Sequence, residues 1–336
     1  MLQLTSKRGL LAHALDITGC GRMLRATASW EGVLVLNYHR IGNRHQSLLD
    51  RNLWSATDNE FDAQMAMISR EFDVIGLDDL DAVFTYRRGR FVMVTFDDGY
   101  LDNYTNAYPI LKAHRVPATF FITTGFLDVP MVPWWDQIAW MVRTSPLEGL
   151  DVNPWTTTPV PFDGPDREVA INRLLAVYKR LSGELTGDYL SFLANALQSG
   201  NCPAQIADNL WMKWDMIREM KENGMSFGGH TVTHPVLANL PADIQDKEIG
   251  MCRKRLVEEL GEPIDAFSYP VGGRNSFNEA SRASAIRHGF RLVFTYQGGF
   301  CRHGHKDRLA IPRTAIETDI DQSQFRALVT LPQIFA

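Results

Sequence analysis

The chain has 336 residues, 45% hydrophobic and 22% charged, with 18 Phe, 9 Tyr and 8 Trp. This composition excludes a disordered, collagen-like or coiled-coil protein and leaves a globular one with a large core. Lys plus Arg (34) against Asp plus Glu (39) gives a net charge of −5, so no overall basic surface recommends nucleic acid as a partner. From the N-terminus, residues 9 to 28 have the pattern of a short amphipathic helix with Arg22 and Arg25 beside apolar groups. Such a helix suits packing on the domain or peripheral contact with an anionic membrane surface. His13 and Asp16 break the apolar run that follows Lys7 and Arg8, which argues against a signal peptide. No run approaches roughly 18 apolar residues, so no transmembrane segment and a cytoplasmic location are expected.

Eight apolar, β-branched runs read as strands: Val33 to Tyr38, Val74 to Leu77, Phe91 to Phe96, Ala118 to Ile122, Met225 to Gly228, Ala266 to Tyr269, Leu292 to Tyr296 and Leu309 to Pro312. Helical patterns lie between several of them, from about Asp58 to Arg70, Asp215 to Asn223 and Ala242 to Leu260, the last ended by Gly261. This alternation favours an α/β fold with a parallel sheet. It breaks between about Leu127 and Leu210. There a Pro/Trp-rich start, Pro130 to Asp136, leads into a helix, a Pro/Thr-rich loop from Asn153 to Pro165, and helices over about Arg167 to Leu181 and Gly187 to Gln198. The expected organisation is an N-terminal helical segment (1–30), a barrel (31–126 and 211–336) and a mostly helical insertion (127–210). An insertion after a barrel strand projects from the catalytic rim, so Trp134 and Trp135 are read as a lid or substrate wall, or as anchors of the insertion's own core. The four cysteines, Cys20, Cys202, Cys252 and Cys301, form no C-x-x-C pair and are expected as reduced thiols.

Two motifs carry chemistry. The strand Phe91 to Phe96 delivers Asp97-Asp98-Gly99 to its end; adjacent acids there either repel and split their pKa values or share work with a cation, one as ligand and one as base. They also suit a turn and a helix cap. A second strand leads into His230-Thr231-Val232-Thr233-His234. On a helical turn two histidines at i and i+4 share one face, which suits a single metal. Two nitrogens and one carboxylate oxygen leave coordination positions open for water and substrate.

Thr95-Phe96-Asp97-Asp98-Gly99-Tyr100 followed by His230-Thr231-Val232-Thr233-His234 resembles the first two motifs of the polysaccharide deacetylases, the NodB-homology or carbohydrate esterase 4 family, over roughly residues 30 to 315. The resemblance implies a distorted (β/α) barrel and one divalent metal, zinc with cobalt or nickel as substitutes. It also implies hydrolysis of N-acetyl groups on an amino sugar, so that the partner is an N-acetylated glycan. Asp98, His230 and His234 would bind the metal and Asp97 would be the general base. The family's third motif, R-x-P-Y, corresponds to Ser268-Tyr269-Pro270-Val271 and lacks its arginine. Arg313, after the last expected strand, is the candidate replacement by topology. Tyr269 and the Val271 backbone NH would face substrate, Val271 as the oxyanion donor. The usual C-terminal L-x-x-H is absent, whereas Asn37-Tyr38-His39 resembles the family branch with an upstream Tyr-His, which makes His39 the general acid; His303 and His305 are substitutes.

Other readings stay open on these residues. Gly224-Met225-Ser226-Phe227-Gly228 fits a nucleophile elbow, although an elbow must leave a strand and enter a helix. The barrel could bind carbohydrate without cutting it, or hydrolyse small amides or imides. A polysaccharide, or a lipid- or nucleotide-linked glycan precursor, is the expected substrate.

Overall fold

The computed structural model describes residues 7–27, 30–85, 89–165 and 167–336. Nine strands form one curled sheet: β1 (Gly32–Tyr38), β2 (Asp73–Ile75), β3 (Phe91–Phe96), β4 (Ala118–Ile122), β5 (Ser226–Gly229), β6 (Ala266–Ser268), β7 (Leu292–Phe294), β8 (Cys301–Arg302) and β9 (Thr314–Ala315). Its parallel path runs β7-β6-β5-β4-β3-β1, with β2 beside the first half of β3 and β8 antiparallel to the start of β1. Ile311 bridges Phe294 at one edge and β9 pairs in parallel with Leu36 and Asn37 at the other. Five residues of chain thereby close the sheet into a distorted (β/α) barrel.

Strand composition follows from burial on both faces, which makes parallel strands near-continuous apolar runs. All seven β1 residues are buried. Side chains alternate: Val33, Val35 and Met93 join one cluster with Phe121, Ala266 and Phe294, while Leu34, Leu36, Val92 and Val94 pack on the helix side. The first row continues to Asn37, Thr95 and Asp97, so polar groups reach the middle of the barrel only at the strand ends.

The helices used below are α1 (Lys7–Ile17), α2 (Cys20–Thr27), α3 (Asp58–Glu71), α4 (Trp134–Thr144), α5 (Glu168–Tyr178), α6 (Thr186–Ala196), α7 (Trp214–Glu222), α8 (Ala242–Leu260) and α9 (Gln322–Thr330). Thr57 and Glu60 form a capping box at the start of α3, and Gly261, at φ 69°, supplies the left-handed residue that ends α8. Helices α4, α5 and α6 share a core of their own, built on Ile138, Ile171, Leu174 and Leu193.

Two expectations need correction. The segment expected as one helix over 9–28 is two helices, because Gly19 turns left-handed at φ 71° after the Thr18 hydroxyl has bonded back to the Ala14 carbonyl; residue 28 lies outside the described residues. The strand expected over Leu309 to Pro312 is reduced to the Ile311 bridge, and the pairing moves on to β9, since Arg313 between them turns its side chain into the barrel.

Candidate metal and catalytic site

The C-terminal ends of β1, β3, β5 and β6 deliver His39, Asp97 with Asp98, His230 and Ser268 to one rim. Asp98 adopts φ 74°, and this left-handed turn sends two consecutive carboxylates in different directions. The Asp98 Oδ1 atom lies 3.5 Å from His230 Nε2 and 3.4 Å from His234 Nε2. All three residues are buried, with ligand atoms within 4.8 Å of one another.

The histidines reach this geometry without a helix. Residues 230–236 are loop, with Thr231 at φ 67° and His234 at φ 56° and Pro235 preventing a helical continuation. The loop is held by Glu248 of α8, whose carboxylate accepts from the backbone NH groups of Val232 and Thr233, both at 2.9 Å, and from the Thr233 hydroxyl at 2.7 Å. It also packs on Gly125, where a Cβ would stand 2.5 Å from the Val232 carbonyl oxygen. The His230 Nδ1–H donates to the Ser268 carbonyl at 2.8 Å, which fixes the tautomer and turns Nε2 toward Asp98. Asp98, Thr231, His234 and Val271 are four of the seven non-glycine residues with positive φ among the described residues. Backbone strain of that kind concentrates where a constellation must be held in place.

Whether these residues fit a metal ion can be judged from unmet bonding. Asp98 Oδ1 is buried without a hydrogen-bond partner, and burial followed by the neighbouring Asp97 charge pushes its carboxyl well above the usual range. An acceptor left bare is costly, and a cation held by Asp98 and the two imidazoles would satisfy it. Burial also pushes the His234 ring well below its ordinary value, so both histidines offer the neutral form that ligates metal.

Asp97 has a different fate. Arg313, fully buried, grips it bidentately, with Nη1 to Oδ1 at 2.7 Å and Nη2 to Oδ2 at 2.6 Å. The guanidinium spends its remaining donors on Asn37 Oδ1 (2.7 Å), Ser268 Oγ (2.7 Å), Thr95 Oγ1 (3.3 Å) and the Thr295 carbonyl (3.2 Å). A buried pair is tolerable when every donor is used in this way. Burial alone would raise the Asp97 carboxyl, but Arg313 holds it well below the ordinary carboxylate range. The arginine beside Asp97 thus comes from the stretch between the Ile311 bridge and β9, while the 268–271 segment contributes none. Asn37, Thr95 and Ser268, which the motif reading passed over, are polar residues at inward-facing strand-end positions, and that is the signal by which they could be found.

Asp97, Asp98, His230 and His234 face a cavity of about 240 Å³ that is also lined by His39, Val271 and Tyr296. Burial pushes the His39 ring down to about 4, against the attraction of Asp97, and its ring meets Tyr296 edge-on at 5.7 Å. Val271 sits at φ 62°. Tyr269 borders the cavity, while its ring stacks face to face on Phe277 at 4.0 Å. The insertion supplies the opposite wall. Trp134 stacks on Tyr178 at 4.2 Å and its indole NH donates to the His234 carbonyl at 3.3 Å. The Trp135 ring lies 4.5 Å from His234, and its NH donates to the Tyr100 hydroxyl, which donates to Asp136. Both indoles are buried anchors and cavity walls at once. His303 and His305 lie beyond β8, which pairs with the start of β1, at the opposite end of the barrel. Ser226 opens β5 after α7 has ended, the reverse of an elbow. The four cysteines are free thiols.

A curled parallel sheet carrying an Asp-His-His cluster beside an arginine-gripped aspartate defines the class, and a family comparison agrees with it. The family model for polysaccharide deacetylase matches residues 85–148 and 189–293, half of the chain, and the chain belongs to that family. The Staphylococcus aureus poly-beta-1,6-N-acetyl-D-glucosamine N-deacetylase is 31% identical over 105 residues, 27% of this chain and 36% of that protein. The Bacillus subtilis polysaccharide deacetylase-like protein YxkH is 58% identical over 238 residues, 71% of this chain and 56% of that one. The chain therefore spans from about a third to little over half of these relatives. In fold it is similar to the Streptococcus pyogenes deacetylase PplD solved with acetate (TM-score 0.58, 19% identity, 89% of this chain and 97% of that one). It is also similar to IcaB from Ammonifex degensii (TM-score 0.55, 19% identity, 90% and 97%).

Proposed function

We propose that this protein is a metal-dependent N-deacetylase that removes acetyl groups from an amino sugar in a polysaccharide or in a lipid- or nucleotide-linked glycan precursor. The observation that carries the proposal is the bare Asp98 oxygen between two buried imidazoles, next to an aspartate whose charge is fixed by Arg313. A divalent metal, zinc first and cobalt or nickel as substitutes, held by Asp98, His230 and His234 would supply an activated water and polarise the acetamide carbonyl.

The other roles belong to the chain. Asp97 receives the proton of the attacking water; Arg313 keeps it ionised and oriented, since both carboxylate oxygens are pinned. The Val271 NH, at the edge of the cavity, is the group we assign to donate to the developing oxyanion. His39 is neutral at rest, because burial penalises its charge; the proton that Asp97 takes from the water passes to His39, whose imidazolium is a strong acid and gives it to the departing amine. Trp134 and Trp135 exclude water from one side and hold the His234 loop. The S. aureus relative's name points to β-1,6-linked N-acetylglucosamine as the first substrate to try.

The test is calorimetric titration of chelator-stripped protein and His234→Ala with zinc, cobalt and nickel, together with acetate release from N-acetylglucosamine oligomers. One tight site per chain, lost in the variant and required for acetate release, is expected. Glycan binding with neither metal uptake nor acetate release would replace the proposal with a non-catalytic carbohydrate-binding barrel.

A further inference from the structure

The two N-terminal helices present apolar side chains on both sides. On the inner side Ala12 is buried and Leu15 packs against the main core, with α1 lying on α9. Asp16 pairs with Arg326 at 2.8 Å, and Arg25 with Glu71 at 2.7 Å and with the Thr330 hydroxyl at 3.1 Å. On the outer side Leu10, Leu11, Ile17 and Met23 are 61%, 45%, 72% and 64% exposed. Leu10, Ala14 and Ile17 recur at helical spacing along one face, and Ile334 after α9 adds another exposed apolar group. Isolated exposed leucines need no explanation; a set of them along a short amphipathic segment does.

Basic side chains outnumber acidic ones on α1 and α2. Asp16 is the only acid between residues 7 and 27, and Arg326 takes it. Arg8 and Arg22 are exposed and have no ion-pair partner among the described residues. A groove beside the end of α2, lined by Thr27, Trp30, Glu31, Arg302 and His303 among others, brings the exposed Arg302 to the same end. Apolar side chains flanked by unpaired guanidinium groups fit the boundary between acyl chains and anionic headgroups, whereas an apolar protein groove would leave those cations unmatched.

We propose that α1 and α2 dock this protein on anionic phospholipid bilayers. Arg90, immediately before β3, donates to the Arg25 carbonyl, and Trp30 bridges Gly89 ahead of β1 and β3, so the end of α2 lies at the strand starts, while α1 runs along α9 on the flank of the barrel. The Asp-His-His cluster stands at the strand ends, and none of the exposed side chains of α1 and α2 lines its cavity.

The experiment uses the whole chain with vesicles of phosphatidylcholine, with and without phosphatidylglycerol. Co-sedimentation with the anionic vesicles is expected, with little on phosphatidylcholine alone. Arg8→Gln combined with Arg22→Gln should weaken partition roughly 25-fold, about five-fold per arginine, and Leu10→Asp with Ile17→Asp should abolish it. Neither pair should alter acetate release from a soluble oligomer, which also reports that the variants fold. Cys20 is exposed and accepts an environment-sensitive fluorophore in a Cys202→Ser background. Its emission should move to the blue on anionic vesicles, while the same label at Val169→Cys, on the insertion, in a Cys20→Ser, Cys202→Ser background, should not. Partition unchanged in both pairs, or a shift at Val169 instead of Cys20, would overturn the proposal. A concentration-dependent shift at Cys20 without lipid would assign the surface to a second copy of the chain.

Discussion

On the barrel side of the cavity stand ionisable groups set by their neighbours: Asp97 gripped by Arg313, His230 oriented by the Ser268 carbonyl, and Asp98 with one oxygen left bare between two imidazoles. On the insertion side stand Trp134 and Trp135, whose indole NH groups bond inward and whose rings exclude water. The barrel wall is made of strand ends and tight turns with left-handed residues; the insertion wall is made of helices with their own apolar core. Chemistry thus rests on groups tied to the sheet, while the insertion shapes and dries the space in front of them. The two sides should break differently.

The largest effect is expected from Asp98→Ala or His234→Ala. Turnover should fall roughly a thousand-fold or more, the several kcal/mol a catalytic metal supplies, with metal uptake lost by calorimetry. Next, Arg313→Met strands the Asp97 charge in the barrel and should cost about 3–5 kcal/mol of stability in urea unfolding, a loss that Asp97→Asn in the same chain should partly recover. Asp97→Asn alone should lower turnover at least about 100-fold while sparing metal affinity. Unchanged turnover would remove Asp97 from the base role. On the insertion side, Tyr100→Phe removes the partner of both Trp135 and Asp136. It should cost about 1–3 kcal/mol of stability with metal affinity intact; a loss of metal affinity would show that the insertion also tunes the ligands.

The smallest effect is a pH dependence of the insertion anchor. Burial pushes the Asp136 carboxyl up to about 7, although Arg40 and two hydrogen bonds pull it back. Its folded value exceeds the roughly 3.9 of an unfolded carboxyl, so its contribution to stability is complete below that value and is lost as pH rises toward 7. Urea midpoints of metal-free protein should therefore decline across that interval, and decline less in Asp136→Asn. Parallel profiles would exclude Asp136 as the source.

Much of the barrel side was legible from residues alone because its information is local. The acid pair and histidine pair follow strands whose apolar runs end where the charges begin, and β1, β3 and β4 have no competing reading. The helical turn expected for His230 and His234 failed since Thr231 and His234 are left-handed and Pro235 follows, conformations set by the packing of Gly125 and the reach of Glu248. Glu248 sits mid-helix with nothing local to mark it. The strand expected over Leu309 to Pro312 was misplaced because pairing at a closing edge is decided by what stands on either side. Arg313 was legible by chain order, but its partners Asn37, Thr95 and Ser268 come from three different strands and become visible only through the alternation of inward positions.

The place of Arg313 in the chain has a consequence for assembly. Asp97 meets its counter-ion across 216 residues of sequence, and that arginine lies between the Ile311 bridge and β9, the stretch that seals the barrel. A nascent chain that has not reached residue 313 holds the acid pair and both histidines on an open sheet, with the Asp97 carboxylate uncompensated and the last edge unpaired. Contacts of such long span are completed late. The pairing of Asp97 therefore arrives together with closure of the barrel, and on the proposed mechanism a chain truncated before that point would be an open, edge-exposed intermediate without activity.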